Sequence, residues 1–374
     1  TRAALLELPD GEVSFEDWID DDGIDVGKPI RLFVTLRKKG DHMVADWTGT
    51  APQVRGAINN TFSYTAAATY TAIKSILSVN MPNNDGVFRA IEVVAPPGTV
   101  ANGVLPAACA ARGLTGFRML DCCFGALALW LPGKVFAAGD GGNTGITIGG
   151  YDAQRKPFIY VDFMSGSWGA RPWADGLEGN ANMFANMASQ SIEVCETEHP
   201  VQILRYEFVT DGGGAGRYRG GVPYRRDYRF LEDEAVLQVR SDRHTHRPYG
   251  LNGGQPGKPS QSVMNPDAEH RALDSKLTMT IKRGMVFRHC LPGSGGWGDP
   301  LEREPAKVLA DVRNEFVSIA AAAIEYGVVI DPASLAVDEA ATARRRERMR
   351  ARRGWSEPPE IVREVDPVFA EAAE

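Results

Sequence analysis

The densest run of side chains capable of chemistry is Arg240, Ser241, Asp242, Arg243, His244, Thr245, His246 and Arg247. On an extended segment, residues two apart point to one side. His244 and His246 therefore offer paired imidazoles that hold a divalent metal if a carboxylate from elsewhere completes the set. Asp242 lies too close in sequence to be that third ligand. The preferred reading is a strand-to-loop corner in which Asp242 pairs with Arg243 and the histidines sit near the surface or face a substrate, so no metal ligand is assigned. Arg243, His244 and Arg112 are the candidate catalytic residues, as contacts for an oxyanion or phosphate. Arg112 also follows Cys109, whose thiolate an arginine can stabilise as a nucleophile. A buried structural thiol is the preferred reading of Cys109. Asn59, Asn60 and Asn143 carry amide side chains that can orient a bound amide, although asparagine serves equally well in turns. No Ser-His-Asp or Cys-His nucleophile pattern can be extracted.

Glycine-rich segments at 139–150, 212–221, 250–257 and 293–298 invite comparison with phosphate-binding loops, which need converging backbone N–H groups at a helix start. None reads GxxxxGK[ST], and all lie between expected strands. Glycine there is expected to supply positive φ in turns or bulges. The acidic cluster Asp17, Asp20, Asp21, Asp22 and Asp25 lacks the spacing of an EF-hand, and a solvated turn is expected.

These residues need elements to hold them. Alternation over 31–36 and 43–47, with Gly40 and Asp41 between, predicts two strands. Tyr70, Ile73 and Leu77 share one face of a core helix over 65–78. Leu120, Phe124, Leu127 and Leu131 mark a second helix over 115–131, apolar nearly all round and stopped by Pro132 and Gly133. Short strands follow at 158–163, 201–209, 224–230, 236–239 and 277–281, mainly antiparallel with one buried face. Helices are expected over 305–314, 316–326 and 339–353. The expected fold is α+β, with mixed, mainly antiparallel sheets, a few buried helices and a strand-rich second half. Its organisation is a helix-containing unit over 1–132, a strand-rich unit over 133–330 and an Arg-rich helical and acidic tail over 331–374.

A chain of 374 residues suits more than one core, since single cores stop growing near roughly 250–300 residues. The net charge of −7 disfavours nucleic acid, which recruits excess Lys and Arg. Seven arginines crowd 344–353, and a solvated or subunit-docking extension is preferred there over a grip on an acidic partner. Five cysteines without CxxC spacing read as reduced thiols of a cytoplasmic protein. No leader opens the chain, and no apolar run of about 18 residues spans a membrane. Thr1 is no initiator methionine, so the chain is expected to begin inside a longer polypeptide.

Four segments together carry a resemblance: Asp46-Trp-Thr-Gly-Thr-Ala-Pro-Gln-Val-Arg-Gly-Ala-Ile-Asn-Asn-Thr; Gly214-Ala-Gly-Arg-Tyr-Arg-Gly-Gly; Ser241-Asp-Arg with Pro248-Tyr-Gly-Leu-Asn-Gly-Gly; and Pro292-Gly-Ser-Gly-Gly-Trp-Gly-Asp-Pro-Leu-Glu-Arg. In this order, over roughly 5–330, they resemble the hydantoinase B/oxoprolinase family. The resemblance implies part of a B-type subunit that works with a sugar-kinase-like A-type ATP-binding subunit as a hetero-oligomer. It implies ATP-dependent opening of a hydantoin, 5-oxoproline or lactam ring, with carboxylation of acetone or acetophenone as the alternative. Implied cofactors are ATP with Mg²⁺ on the A-type partner and a divalent metal such as Zn²⁺ or Mn²⁺. The family's metal-binding His and Asp motifs belong to the amino-terminal half of the subunit and have no counterpart here, so the remaining amino-terminal part is a further expected partner. Two departures stand out: His246 and Arg247 replace aromatic or proline residues, and 180–186 is Asn-rich where many members carry His and Thr. A non-catalytic assembly subunit is the reading from a different class.

Overall fold

The computed structural model describes residues 1–77, 80–142, 144–164 and 166–370. The fold is α+β and divides into two compact units. The first contains Thr1–Val135, with Met183–Ala185 and Arg240–Asp242 joining it. The second contains Phe136–Asn182, Asn186–Val239 and Arg243–Glu374. The Arg-rich tail thus belongs to the second unit.

In the first unit, α1 (Arg2–Leu6) precedes β1 (Gly11–Ile19), β2 (Ile30–Lys39) and β3 (His42–Asp46). Helices α2 (Phe62–Ile76) and α3 (Asp85–Phe88), strand β4 (Ile91–Val94) and helix α4 (Arg112–Trp130) follow. The sheet order is β1-β2-β3-β4, antiparallel except for the parallel β3–β4 pair. Leu32, Val34 and Leu36 alternate inward from β2, and α4 packs against β1, β2 and α2. Glycines in a helix interior cost stability, yet α4 keeps two for space. A Cβ at Gly116 would stand 2.2 Å from the Tyr64 ring, and one at Gly125 2.3 Å from Phe15.

The second unit opens with β5 (Thr144–Tyr151) and β6 (Pro157–Met164), then α5 (Ile192–Glu198), β7 (Val201–Phe208), β8 (Tyr224–Phe230) and β9 (Glu234–Arg240), whose final residue is grouped with the first unit. Strands β10 (Gly250–Leu251), β11 (Gln261–Met264), β12 (Arg271–Leu273), β13 (Lys276–Lys282) and β14 (Val286–Cys290) continue it. The sheets have orders β13-β9-β5-β6 and β12-β11-β14-β8-β7. Their apolar faces share one core that includes Ile146, Tyr160, Tyr228, Leu237 and Phe287. Asp162 of β6 enters that core because Arg226, Tyr228 and Tyr160 all direct donors at its carboxylate.

The chain ends with α6 (Pro305–Arg313), α7 (Ile319–Tyr326), the pair β15 (Ile330–Asp331) and β16 (Ala336–Val337), α8 (Glu339–Arg353) and β17 (Ile361–Val362), which pairs with β10. The arginines of α8 are divided in their roles. Arg345 and Arg346 donate to the Ala323 and Tyr326 carbonyls at the end of α7, Arg350 donates to Leu301, and Arg353 pairs with Asp299 at 2.6 Å. Together with buried Met349 they fix the helix to the unit. The solvated-extension reading is therefore corrected for this face, while Arg344 and Arg348 remain exposed.

Candidate functional site

In the first unit, the loop holding Asn59 and Asn60 is tied to the segment that leads into α4. Asn59 is fully buried; its side-chain oxygen accepts the Val54 N–H at 2.8 Å, and its amide donates to the Val54, Gly56 and Ala108 carbonyls. That amide is committed to the loop. Asn60 is equally buried, with its amide 3.0 Å from the Met119 sulfur and its side-chain oxygen without a hydrogen bond among the described residues. Arg112 is exposed on the first turn of α4, donates to the Cys109 carbonyl at 3.3 Å and lies 5.7 Å from the Tyr64 ring centroid. Its contact is with the backbone of Cys109. The thiol itself is half-buried, 3.7 Å from the Ala107 carbonyl.

The acidic cluster is not a solvated turn. Asp17 lies on β1, and Asp17, Asp20, Asp21 and Asp22 are all buried. Arg118 and backbone N–H groups account for Asp17, Asp21 and Asp22 being inside. Fully buried Arg118 of α4 faces Asp17 at 3.1 Å and Asp242 at 3.3 Å. Asp242 also accepts the Asp20 N–H at 2.9 Å. Asp21 accepts the Gly23 and Gly27 amides, and Asp22 those of Ile24, Asp25 and Gly56. These carboxylates hold the loop, and Asp242 meets Arg118.

In the second unit, Arg243 adopts a left-handed φ of 70° and its guanidinium turns back on its own corner, donating to the Arg247 carbonyl at 3.1 Å. Its carbonyl accepts the Ser260 N–H at 3.0 Å. The following residue, His244, is half-buried and close enough to His289 on β14 to disfavour a second positive charge there. Burial is the larger cause, and together they push His289 down to about 3, so it is neutral near pH 7. Its Nδ1 meets Ser262 Oγ at 3.0 Å, while Nε2 has no hydrogen-bond partner among the described residues. Asn143 lies outside the described residues.

The same unit contains a titratable group that the sequence pattern did not single out. Asp140 is fully buried, and burial pushes its carboxyl up to about 7 against the opposing pull of N–H groups from Gly166, Gly142 and Gly141. Gly166 donates to Oδ2 at 3.0 Å, while Oδ1 has no hydrogen bond among the described residues. Its signal in the sequence was an acid among glycines, in a segment where the backbone drew the attention.

The glycine-rich segments pack backbone against backbone. A Cβ on Gly293 would stand 1.8 Å from the Gly212 carbonyl oxygen, on Gly220 2.0 Å from Ser294, and on Gly254 2.2 Å from Gly296. Gly214 donates to Ser294, Gln255 to Ala215, and Gly296 to Gln255. Of the glycines over 212–221, 250–257 and 293–298, only Gly253 and Gly298 have positive φ, and Asn252 joins them at 53°. Close approach, more than turn geometry, is therefore what requires glycine in these segments. Those N–H groups are spent within the stack. Among the described residues, no group of three or more His, Cys, Asp or Glu side chains is arranged to hold a metal ion.

Both the sequence and the fold have counterparts in other proteins. The hydantoinase B/oxoprolinase family model matches residues 1–300. The chain is 35% identical over 342 residues to the B-type subunit of a putative D-/L-hydantoinase of Pseudomonas sp. (strain NS671), covering 88% of this chain and 57% of that protein. It is 32% identical to the beta subunit of the caprolactamase of Pseudomonas jessenii, covering 91% and 60%. The crystal structure of the ATP-dependent caprolactamase from Pseudomonas jessenii superposes with a TM-score of 0.82 at 28% identity, over 92% of this chain and 61% of that one. A nucleotide-free acetone carboxylase structure, at 18% identity and TM-score 0.79 over 96% of this chain and 55% of that one, shares the fold. The chain spans under two thirds of the length of these relatives. With the family model matched over most of its length and the glycine motifs accounted for by one stack, the chain belongs to the hydantoinase B/oxoprolinase family.

Proposed function

We propose that the chain is part of the B-type subunit of an ATP-dependent amidohydrolase that opens a hydantoin, 5-oxoproline or lactam ring together with an A-type ATP-binding subunit. The observation that carries this reading is the likeness, in sequence and in structure, to a caprolactamase described as ATP-dependent. The identity to a putative hydantoinase supports it, and the lower identity to the acetone carboxylase favours amide over ketone chemistry. An amide carbonyl is a poor electrophile, and ATP bound with Mg²⁺ on the partner supplies the phosphorylation that activates it.

The roles assigned to this chain are to bind and orient. Arg112, exposed at a helix start, is assigned the contact with an anionic oxygen. His244 is assigned a substrate contact, with Arg243 holding its corner through the Arg247 carbonyl. Asn59 fixes the loop that leads to Asn60. The divalent metal is assigned to the remaining amino-terminal part of the subunit. The described residues offer no ligand group for it, and no step is derived through it. Arg112→Ala and His244→Ala should each lower kcat/KM by more than about tenfold with little change in melting temperature. Wild-type kinetics in both variants would remove them from the site.

The deciding experiment follows ATP consumption by the complex with its A-type partner on hydantoin, 5-oxoproline, caprolactam, and acetophenone with and without bicarbonate. Turnover that depends on a cyclic amide supports the proposal. Bicarbonate-dependent turnover with the ketone replaces it with a carboxylase, and silence throughout from a metal-loaded complex favours an assembly subunit.

A further inference from the structure

The second unit contains a cavity of about 510 Å³ that none of these roles uses. That volume is in the range of small-molecule sites. Arg247 and Lys258 line it with positive charge, and Asp211, Glu325 and Glu364 with negative charge. Ile324, Val365 and Phe369 give it apolar wall.

The frame is rigid for local reasons. Asp211 accepts the Ser318 N–H at 2.6 Å, and Ser318 caps α7 by accepting the Ala321 N–H at 3.0 Å. Phe369 is buried against Leu301 and Met349. Among the described residues, the Arg247 and Lys258 side chains form no ion pair. Charges of both signs therefore share one concavity without pairing directly. Burial pushes Glu325 up to about 7, with Lys258 opposing and Asp211 adding to the rise.

Singly charged ligands leave one side of such a cavity uncompensated, whereas a molecule with an ammonium and a carboxylate joined by an alkyl chain satisfies both and covers the apolar wall. We propose that this cavity binds a small amino-acid zwitterion, the class of compound released when a lactam or 5-oxoproline ring is hydrolysed. Only the choice of compound rests on the amidohydrolase reading.

The test is calorimetric titration of the purified chain with 6-aminohexanoate and with glutamate, using hexanoate and hexylamine as singly charged controls. Saturable binding of a zwitterion is expected, weaker by at least about tenfold for either control and for Lys258→Met or Glu325→Gln. Affinity should also rise from pH 6 to pH 8 as Glu325 ionises to face the ammonium, in a cavity that Arg247, Lys258, Asp211 and Glu364 also line. Absence of binding by both zwitterions at millimolar concentration, or wild-type affinity in both folded variants, overturns the inference. Binding in a chain whose complex opens no ring leaves the cavity assignment standing and removes the amidohydrolase reading; ring opening without binding does the reverse.

Discussion

Burial shifts Asp140 and His289 in opposite directions within one unit. Asp140 rises from 3.8 to about 7. The resulting cost to folding is absent below pH 4, grows as the unfolded carboxyl ionises, and is complete above pH 7. His289 falls from 6.5 to about 3, so its cost is absent above pH 6.5 and grows as pH falls, when only the unfolded imidazole takes up a proton. Between those limits their pH dependences oppose, one cost growing as the other shrinks, and Glu325 adds to the Asp140 side. Asp140→Asn should therefore be more stable than wild type at pH 8, by roughly a few kcal/mol, and match it near pH 4. Urea midpoints across that range check this, and a difference independent of pH would refute the assignment. Arg118 is the complementary case. Arg118→Met takes a buried cation away from Asp17 and Asp242 and should cost about 3–5 kcal/mol in the same assay.

At the scale of elements, glycine has two distinct duties here. Gly284 has a φ of 84° and an added Cβ there would meet nothing within 4 Å, so Gly284→Ala should cost only about 1 kcal/mol. Gly293 has no such room, because its Cβ would overlap the Gly212 carbonyl. Gly293→Ala should abolish soluble folded protein, and comparing the soluble yield of the two variants, with a circular dichroism melt of Gly284→Ala, separates strain from collision. Helix α8 makes a similar point. Arg346 binds the Tyr326 and Arg303 carbonyls, so Arg346→Ala should lower the melting temperature, whereas exposed Arg344→Ala should leave it within about 1 °C. Helical propensity over 339–353 predicted the helix. Which of its arginines face carbonyls was decided by the position of α7, a relation of residues about twenty apart.

For the whole molecule, the proposal makes a simple demand: the chain alone should hydrolyse no ATP on any cyclic amide, and activity should appear only when the A-type partner and the rest of the B-type subunit are added. ATP turnover by the isolated chain would contradict that division of labour. How legible the molecule was in its sequence follows the range of the forces involved. Periodicity marked α2 and α4, and alternation strands such as β8, because burial of one face imprints a local repeat on the chain. The order of four motifs identified the family. The candidate site was less legible. The sequence could name Asn59, Arg243 and His244 as polar, but it could not show that the Asn59 amide is consumed by three carbonyls or that Arg243 bends onto Arg247. Asp17, Asp20, Asp21 and Asp22 looked like a hydrated turn because composition reports charge and not the buried guanidinium of Arg118, a hundred residues away. What the sequence determined by itself was the set of elements and the lineage, both written in local order. What only the tertiary structure decided was which charges are buried, paired or left to titrate, because desolvation and pairing depend on neighbours distant in the chain.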